Sequence, residues 1–248
     1  MAKKWIDWES DVGQLMLKQA MNSIHIQPNL ISSHVFQKGN TTCGLVSTLM
    51  VLNGKITSIN NAVLTPFNED QLLSNNILQK SVNLNKVKQD GLTLTELSNT
   101  LNNLGFKIRT YYACDLNNDT NIFREHCMNI LKHKNCDKCI IVNYKMDKID
   151  QALPFGHFSP IGAYNDEYDS ILLLDTWFDD KVCWVKINDM FNAMNTIDTE
   201  DARFRGYIII DKINIDFLKC NVNNPDCIGK IDELIDFIKN DDPFNKYW

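Results

Sequence analysis

The chain has 248 residues, 44% of them apolar and 23% charged, with a formal net charge of -6 and a pI near 5.3. Such a composition suits one large folded domain or one domain plus a short appendage, and it excludes disordered and membrane-spanning classes. An acidic balance without a concentrated basic stripe argues against a nucleic-acid partner.

Eight cysteines follow an N-terminus, Met1 to Glu9, that has lysines but no apolar run. The expectation is a cytoplasmic protein with reduced thiols, no secretory signal and no membrane anchor. Val12, Leu15, Met16, Ala20, Ile24 and Ile26 predict a helix over residues 11–26, ended before Pro28. Residues 30–36 form a connector or second helix leading to Gln37. The segment after Cys43-Gly44 carries Leu45, Val46, Leu49, Met50 and Leu52 around nearly the whole helical wheel, which predicts a buried helix. Thr41 or Thr42 is placed to cap it. Cys43 then stands at the positive end of the helix dipole, where a thiolate is favoured and a nucleophile is poised. The plainer alternative is a buried cysteine opening a core helix.

Residues 54–67 read as a loop and 69–78 as a helix. Thr93 and Glu96 have capping-box spacing for a helix that ends near Gly105. Residues 106–111 alternate like a strand, and 121–133 are helical in pattern. From Cys139 onward the texture is strands, over 139–144, 157–164, 170–176, 183–187 and 206–210, with a helix at 188–194. Helices first and an antiparallel sheet afterwards is an α+β order. Residues 213–248 read as a short C-terminal extension with an amphipathic helix over 228–238, which leaves 1–212 as the main domain.

Asn165-Asp166-Glu167-Tyr168-Asp169 is turn-rich between two apolar strands and predicts a hairpin. With Tyr164 set opposite Ser170, His157 and Asp175 fall nearly opposite one another on one face. Cross-strand neighbours have Cβ atoms roughly 4.5–5.5 Å apart, close enough for a carboxylate to hold an imidazole nitrogen. With Cys43 they compose a Cys-His-Asp set. Taken singly, such a His is a surface or satisfied core residue and such an Asp a turn starter. Gln37, upstream of Cys43, supplies an amide for an oxyanion hole, which is a papain-like arrangement.

Together these residues resemble the phytochelatin synthase family, papain-like enzymes that take glutathione. The likeness runs over residues 14–212. It includes Phe36-Gln37, Cys43-Gly44-Leu45, Val51-Leu52-Asn53, Gly156-His157-Phe158-Ser159-Pro160-Ile161-Gly162 and Leu173-Leu174-Asp175. Ala193-Met194, Ile197-Asp198 and Arg205-Gly206-Tyr207 close it. The resemblance implies an α+β fold with a helical half packed on an antiparallel sheet. It makes Cys43 the nucleophile, His157 the general base and acid, Asp175 its orienter and Gln37 the oxyanion donor. It makes Arg205 the holder of the γ-glutamyl α-carboxylate, with Gly44, Gly156 and Phe158 beside the substrate. Glycine would leave glutathione, and a γ-glutamylcysteinyl thioester would remain on Cys43. No cofactor is implied for that step; activation by cadmium or zinc ions, a metal–glutathione thiolate as substrate, and a homodimer are all admitted. The chain departs from the family where basic residues would follow Asp175: Asp179, Asp180 and Lys181 stand there, which favours water over a second glutathione as acceptor.

Two other classes fit parts of the sequence. A papain-like peptidase acting on a protein or leader peptide would share Gln37, Cys43, His157 and Asp175. A metal-binding module would use Cys136 and Cys139, at zinc-ligand spacing, with His126, Cys127 and His133 nearby.

Overall fold

Apolar side chains on both faces of residues 139–145 dictate a strand buried on both sides, and that strand divides the core in two. Cys139 and Ile141 join one apolar cluster, while Ile140, Val142 and Tyr144 join the other. The computed structural model describes residues 3–58, 66–116, 119–133, 138–177 and 182–214.

The first part of the chain contains β1 (Trp5–Asp7), α1 (Asp11–Asn22), α2 (Pro28–Ser32), α3 (Cys43–Ser58), α4 (Glu69–Leu73), α5 (Asn76–Ser81), α6 (Leu84–Asp90) and α7 (Leu94–Asn103). Then come β2 (Lys107–Tyr112), α8 (Thr120–Leu131), β3 (Cys139–Lys145), β4 (Gly156–Asn165), β5 (Ser170–Leu173), β6 (Cys183–Lys186), α9 (Ile187–Met194) and β7 (Gly206–Lys212). The strands form an antiparallel sheet in the order β1-β6-β5-β4-β3-β7-β2. Side chains of α1, α2, α3 and α7 pack in the cluster on one face; those of α8 and α9 pack in the other. This is the expected mixed α+β architecture, with a helical region against an antiparallel sheet.

Helix α3 is the pivot. Leu45, Val46, Leu49, Met50, Val51 and Leu52 are all at most 1% exposed, as an all-round apolar wheel requires. Each such burial contributes about 1.5–3 kcal/mol, so the first turn of α3 is fixed by the core behind it.

Several boundaries differ from the sequence expectation, each for a local reason. Helix α1 stops at Asn22, Ile24 turns left-handed at φ 63, and Pro28 opens α2 rather than merely ending α1. Helix α3 runs through Gly54 to Ser58, because burial of Ile56 outweighs the glycine's weak helix propensity. The expected helix over 69–78 is two, since Asn75 turns its side chain onto the amides of Ile77 and Leu78 and starts α5. The short β1 was not foreseen; it pairs Trp5 with Val185 at the sheet edge. Helix α6, capped by Asn83, was also not foreseen. The capping box of Thr93 and Glu96 is present in both halves. Residues 178–181, most of the loop after α3 and the expected helix over 228–238 lie outside the described residues. Among the described residues, no helix is long and apolar enough to cross a membrane.

The β4–β5 hairpin sets the site. Tyr164 pairs with Ile171 and Ala163 with Leu172, one step from the expected register, and after a bulge at Gly162 the partner of Ile161 is Leu173. Leu174 N–H then bonds the Pro160 carbonyl at 2.9 Å. The bulge shifts the pairing by one residue, and only after that shift do His157 and Asp175 share a face. A Cβ at Gly162 would stand 2.8 Å from Ile31 Cγ1, so glycine is required where the sheet meets α2.

Candidate active site

Cys43 is the first residue of α3, 7% exposed, on the wall of a cleft of about 830 Å³. The loop before it is held from α4. Glu69 accepts the Lys38 backbone N–H at 2.7 Å through one oxygen and the Thr42 hydroxyl at 2.6 Å through the other. The Thr42 carbonyl takes the Val46 N–H at 2.9 Å, which closes the first helical turn. Thr42 therefore gives its hydroxyl proton chiefly to Glu69, a use that the expected capping role did not anticipate.

His157 presents Nε2 to Asp175 Oδ1 at 2.9 Å, and Cys43 is close enough to the ring to favour its charged form. With Nε2 engaged, Nδ1 is the nitrogen left for the sulfur. Asp175 is fully buried and collects four donors. Oδ1 receives His157 and the Trp177 N–H, the latter at 2.8 Å; Oδ2 receives the Tyr144 hydroxyl at 3.0 Å and Gln151 Nε2 at 2.5 Å. Burial alone would push the carboxyl pKa up, but the imidazolium and these hydrogen bonds outweigh it and hold the pKa below the usual range. Burial likewise opposes charge on His157, yet Asp175 and Cys43 together raise its pKa well above the ordinary histidine value. Tyr144 shifts well upward, first by burial and then by the neighbouring Asp175, so it stays a neutral donor. Its ring stands edge-on to His157, with centroids 5.8 Å apart.

Gln37 is buried at 3% exposure. Its Nε2 donates to the Gly39 carbonyl at 2.7 Å, and its Oε1 accepts the Thr176 hydroxyl at 2.8 Å. The Thr176 hydroxyl also lies 3.3 Å from His157 Nε2. Two further bonds stitch the strand end to this loop: Gln37 N–H to the Thr176 carbonyl at 2.8 Å, and His34 Nε2–H to the Asp175 carbonyl at 2.6 Å.

Arg205, 6% exposed, stands immediately before β7 on the same cleft. Nη1 bonds the Ile197 carbonyl at 2.7 Å, Nη2 faces Asp198 at 3.3 Å, and Nε is buried with no partner among the described residues. Burial lowers its pKa, with Asp198 opposing. The guanidinium lies against Gly156: a Cβ there would stand 3.0 Å from Nη2 and 3.1 Å from Nε. Asn143 lines the cleft too, donates to the His157 carbonyl at 3.3 Å, and leaves a buried Oδ1 without a partner among the described residues.

The structure thus brings Cys43, His157, Gly156 and Arg205 onto one cleft, with Asp175 and Gln37 directly behind. Gly44 and Phe158 are placed differently: both are buried against one another, and Gly44 also abuts Leu92 and Leu97. Sequence reasoning missed Glu69, Tyr144, Gln151, Thr176, His34 and Asn143. Their residue types carry no signal until the fold sets them beside the triad.

The candidate zinc ligands do not converge where they are described. His126 Nδ1 bonds the Tyr207 hydroxyl, Cys127 is in the core, and Cys139 meets Gln27 Oε1; Cys136 lies outside the described residues. Among the described residues, no group of three or more His, Cys, Asp or Glu could hold a metal ion.

A mixed α+β fold with a cysteine opening a central helix against an antiparallel sheet defines the class as papain-like. A sequence model of the family described as phytochelatin synthase matches residues 1–207, and the chain belongs to that family. It is 27% identical over 213 residues to glutathione gamma-glutamylcysteinyltransferase 3 of Lotus japonicus, covering 84% of this chain and 42% of that one. Glutathione gamma-glutamylcysteinyltransferase 2 of Arabidopsis thaliana is 27% identical over 210 residues, 84% of this chain and 45% of the relative. The Schizosaccharomyces pombe enzyme of the same name is 25% identical over 219 residues, 87% and 51%. The chain therefore spans about half, or less, of these relatives' length.

Proposed function

We propose that the protein removes glycine from glutathione through a γ-glutamylcysteinyl thioester on Cys43, which is mainly hydrolysed to γ-glutamylcysteine. Transfer to a second glutathione, giving phytochelatin, is the lesser fate. The observation that carries this reading is the convergence of Cys43, the His157–Asp175 pair and a buried Arg205 on one cleft. The α-carboxylate of the γ-glutamyl group suits the free Nε edge of Arg205, and its ammonium suits Asp198 or Asn143 Oδ1.

Cys43 Sγ attacks the carbonyl carbon of the Cys–Gly peptide bond. The oxyanion is met by the Cys43 N–H and the Gln37 amide. The His157 imidazolium passes its proton to the glycine nitrogen as the C–N bond breaks. Glycine departs, water gives a proton to His157 and attacks the thioester, and the C–S bond breaks to free Cys43.

Charge in the cleft supports water as acceptor. Asp90, Glu96, Asp198 and Glu200 line it against Lys86, Lys145 and Arg205, and Lys86 is already paired with Glu96. Asp179 and Asp180 add to this from the sequence. About 3 kcal/mol against a second carboxylate-bearing peptide shifts partitioning about a hundredfold.

The test is incubation with millimolar glutathione, alone and with cadmium or zinc ions that form glutathione thiolates, and quantification of products by mass spectrometry. γ-Glutamylcysteine plus glycine is expected. γ-Glutamylcysteine oligomers ending in glycine would overturn the preference for water. Intact glutathione alongside a cleaved peptide substrate would favour the papain-like peptidase.

A further inference from the structure

We infer that Thr176 is a positioning residue that fixes the orientation of the Gln37 carboxamide as an oxyanion donor. This rests on the proposed cleavage of glutathione and deepens it.

A carboxamide is nearly isosteric with its flipped form, so something must decide which end carries the hydrogens. Around Gln37 the hydrogen bonds set a direction for each link. Asp175 accepts from His157 Nε2–H at 2.9 Å, which puts the proton on Nε2. Thr176 Oγ1, 3.3 Å from that nitrogen, faces a donor there and must aim its own proton elsewhere. Two acceptors are in reach, Gln37 Oε1 at 2.8 Å and the Phe158 carbonyl at 3.5 Å, and the shorter bond goes to the amide. At the far end of the amide, the Gly39 carbonyl can only accept, and it takes one Nε2 hydrogen at 2.7 Å. The amide is thereby held with its NH₂ on the Gly39 side, and its second N–H remains for a developing oxyanion. Thr176 is fully buried, so no water competes for the hydroxyl. The state of the catalytic imidazole and the polarity of the oxyanion donor are linked through this one hydroxyl.

Thr176→Val keeps the shape and removes the donor, leaving Gln37 Oε1 buried and unpaired and the amide held from the Gly39 end alone. Removal of a whole oxyanion donor lowers kcat about 10²–10³-fold, and a mis-set donor should lose about tenfold of that. The expected pattern has four parts: kcat for glutathione falls about tenfold in Thr176→Val, KM changes less than about twofold, Thr176→Ser recovers most of the rate, and Thr176→Val adds nothing in a Gln37→Ala background. Circular-dichroism melting confirms that the variants fold; if valine is not tolerated, Thr176→Ala makes the same comparison. Wild-type kcat in the hydroxyl-free variant, failure of serine to rescue, or a full additional loss in Gln37→Ala would each overturn the inference. A wild-type protein that leaves glutathione intact would instead sink the proposed function itself.

Discussion

His157 Nε2 lies 2.9 Å from Asp175 Oδ1, and the two residues sit on one face only because the hairpin register slips at Gly162. Asp175→Asn should preserve the fold and lower kcat by orders of magnitude; the comparable change in a serine protease costs about 10⁴-fold. Asp175 raises the His157 pKa, so its neutralisation lets the imidazolium lose its proton at lower pH. The alkaline limb of the kcat/KM profile should move down in pH. An unmoved limb would separate the two residues functionally.

The same pair sets a stability window. His157, raised when folded, contributes stability in full below its ordinary value of about 6.5 and loses it as pH climbs through the raised value. Asp175, lowered when folded, contributes in full above about 3.9 and loses it as pH falls through the lowered value. The Tm gap between wild type and Asp175→Asn should be widest from about pH 4 to 6.5 and shrink on either side. A gap that does not vary with pH would contradict this.

Cys43→Ala should abolish release of glycine from glutathione, while Cys114→Ala, an exposed thiol away from the cleft, should retain it. Cys183→Ala should also retain most of the rate per folded molecule, since Cys183 is buried in β6. Full turnover by Cys43→Ala would rule out the thioester.

Gly156→Ala should act through Arg205. The new methyl would stand 3.0 Å from Nη2, so the guanidinium must move from its place beside the cleft. KM for glutathione should rise about tenfold, equivalent to about 1.4 kcal/mol, with a smaller change in kcat. Steady-state kinetics decides it, and an unchanged KM would remove Arg205 from substrate binding.

Gly162→Ala tests the bulge. Its Cβ would press on Ile31 at 2.8 Å and on both Leu174 methyls at 3.1 Å. Overpacking of this kind costs about 1–3 kcal/mol, so Tm should drop by several degrees. Activity per folded molecule should fall as well, because Leu174 leads directly to Asp175.

Residues whose chemistry is rare were legible from the sequence, a Cys before an all-apolar helix and one His opposite an Asp in a hairpin, whereas Arg205 was singled out only by the family resemblance. The strands from Cys139 were equally plain, because two-faced burial leaves continuous apolar runs. The hairpin register was read one residue off at Tyr164, yet the facing of His157 and Asp175 came out as observed because the Gly162 bulge moves the pairing by the same step. A glycine within a strand marks such a bulge only weakly. Tyr144, Gln151 and Thr176 were illegible for a different reason. Tyrosine, glutamine and threonine occur throughout any chain, and nothing local distinguishes those that will surround a carboxylate brought in from a neighbouring strand. The division of residues 69–78 into α4 and α5 was missed because Asn75 interrupts an otherwise helical apolar pattern, and its capping bonds outweigh continuation.

The stitching of Gln37 to Thr176, and of His34 to the Asp175 carbonyl, joins segments far apart in sequence. Contacts of such high sequence separation close late, after the loop entropy between them has been spent. A nascent chain leaves the ribosome with Cys43 long before β4 and β5 exist, and in that interval it has a thiol but neither base nor oriented amide. The candidate site is therefore incomplete while the chain is still being made, and in refolding the return of turnover should coincide with docking of the β4–β5 hairpin rather than with formation of α3.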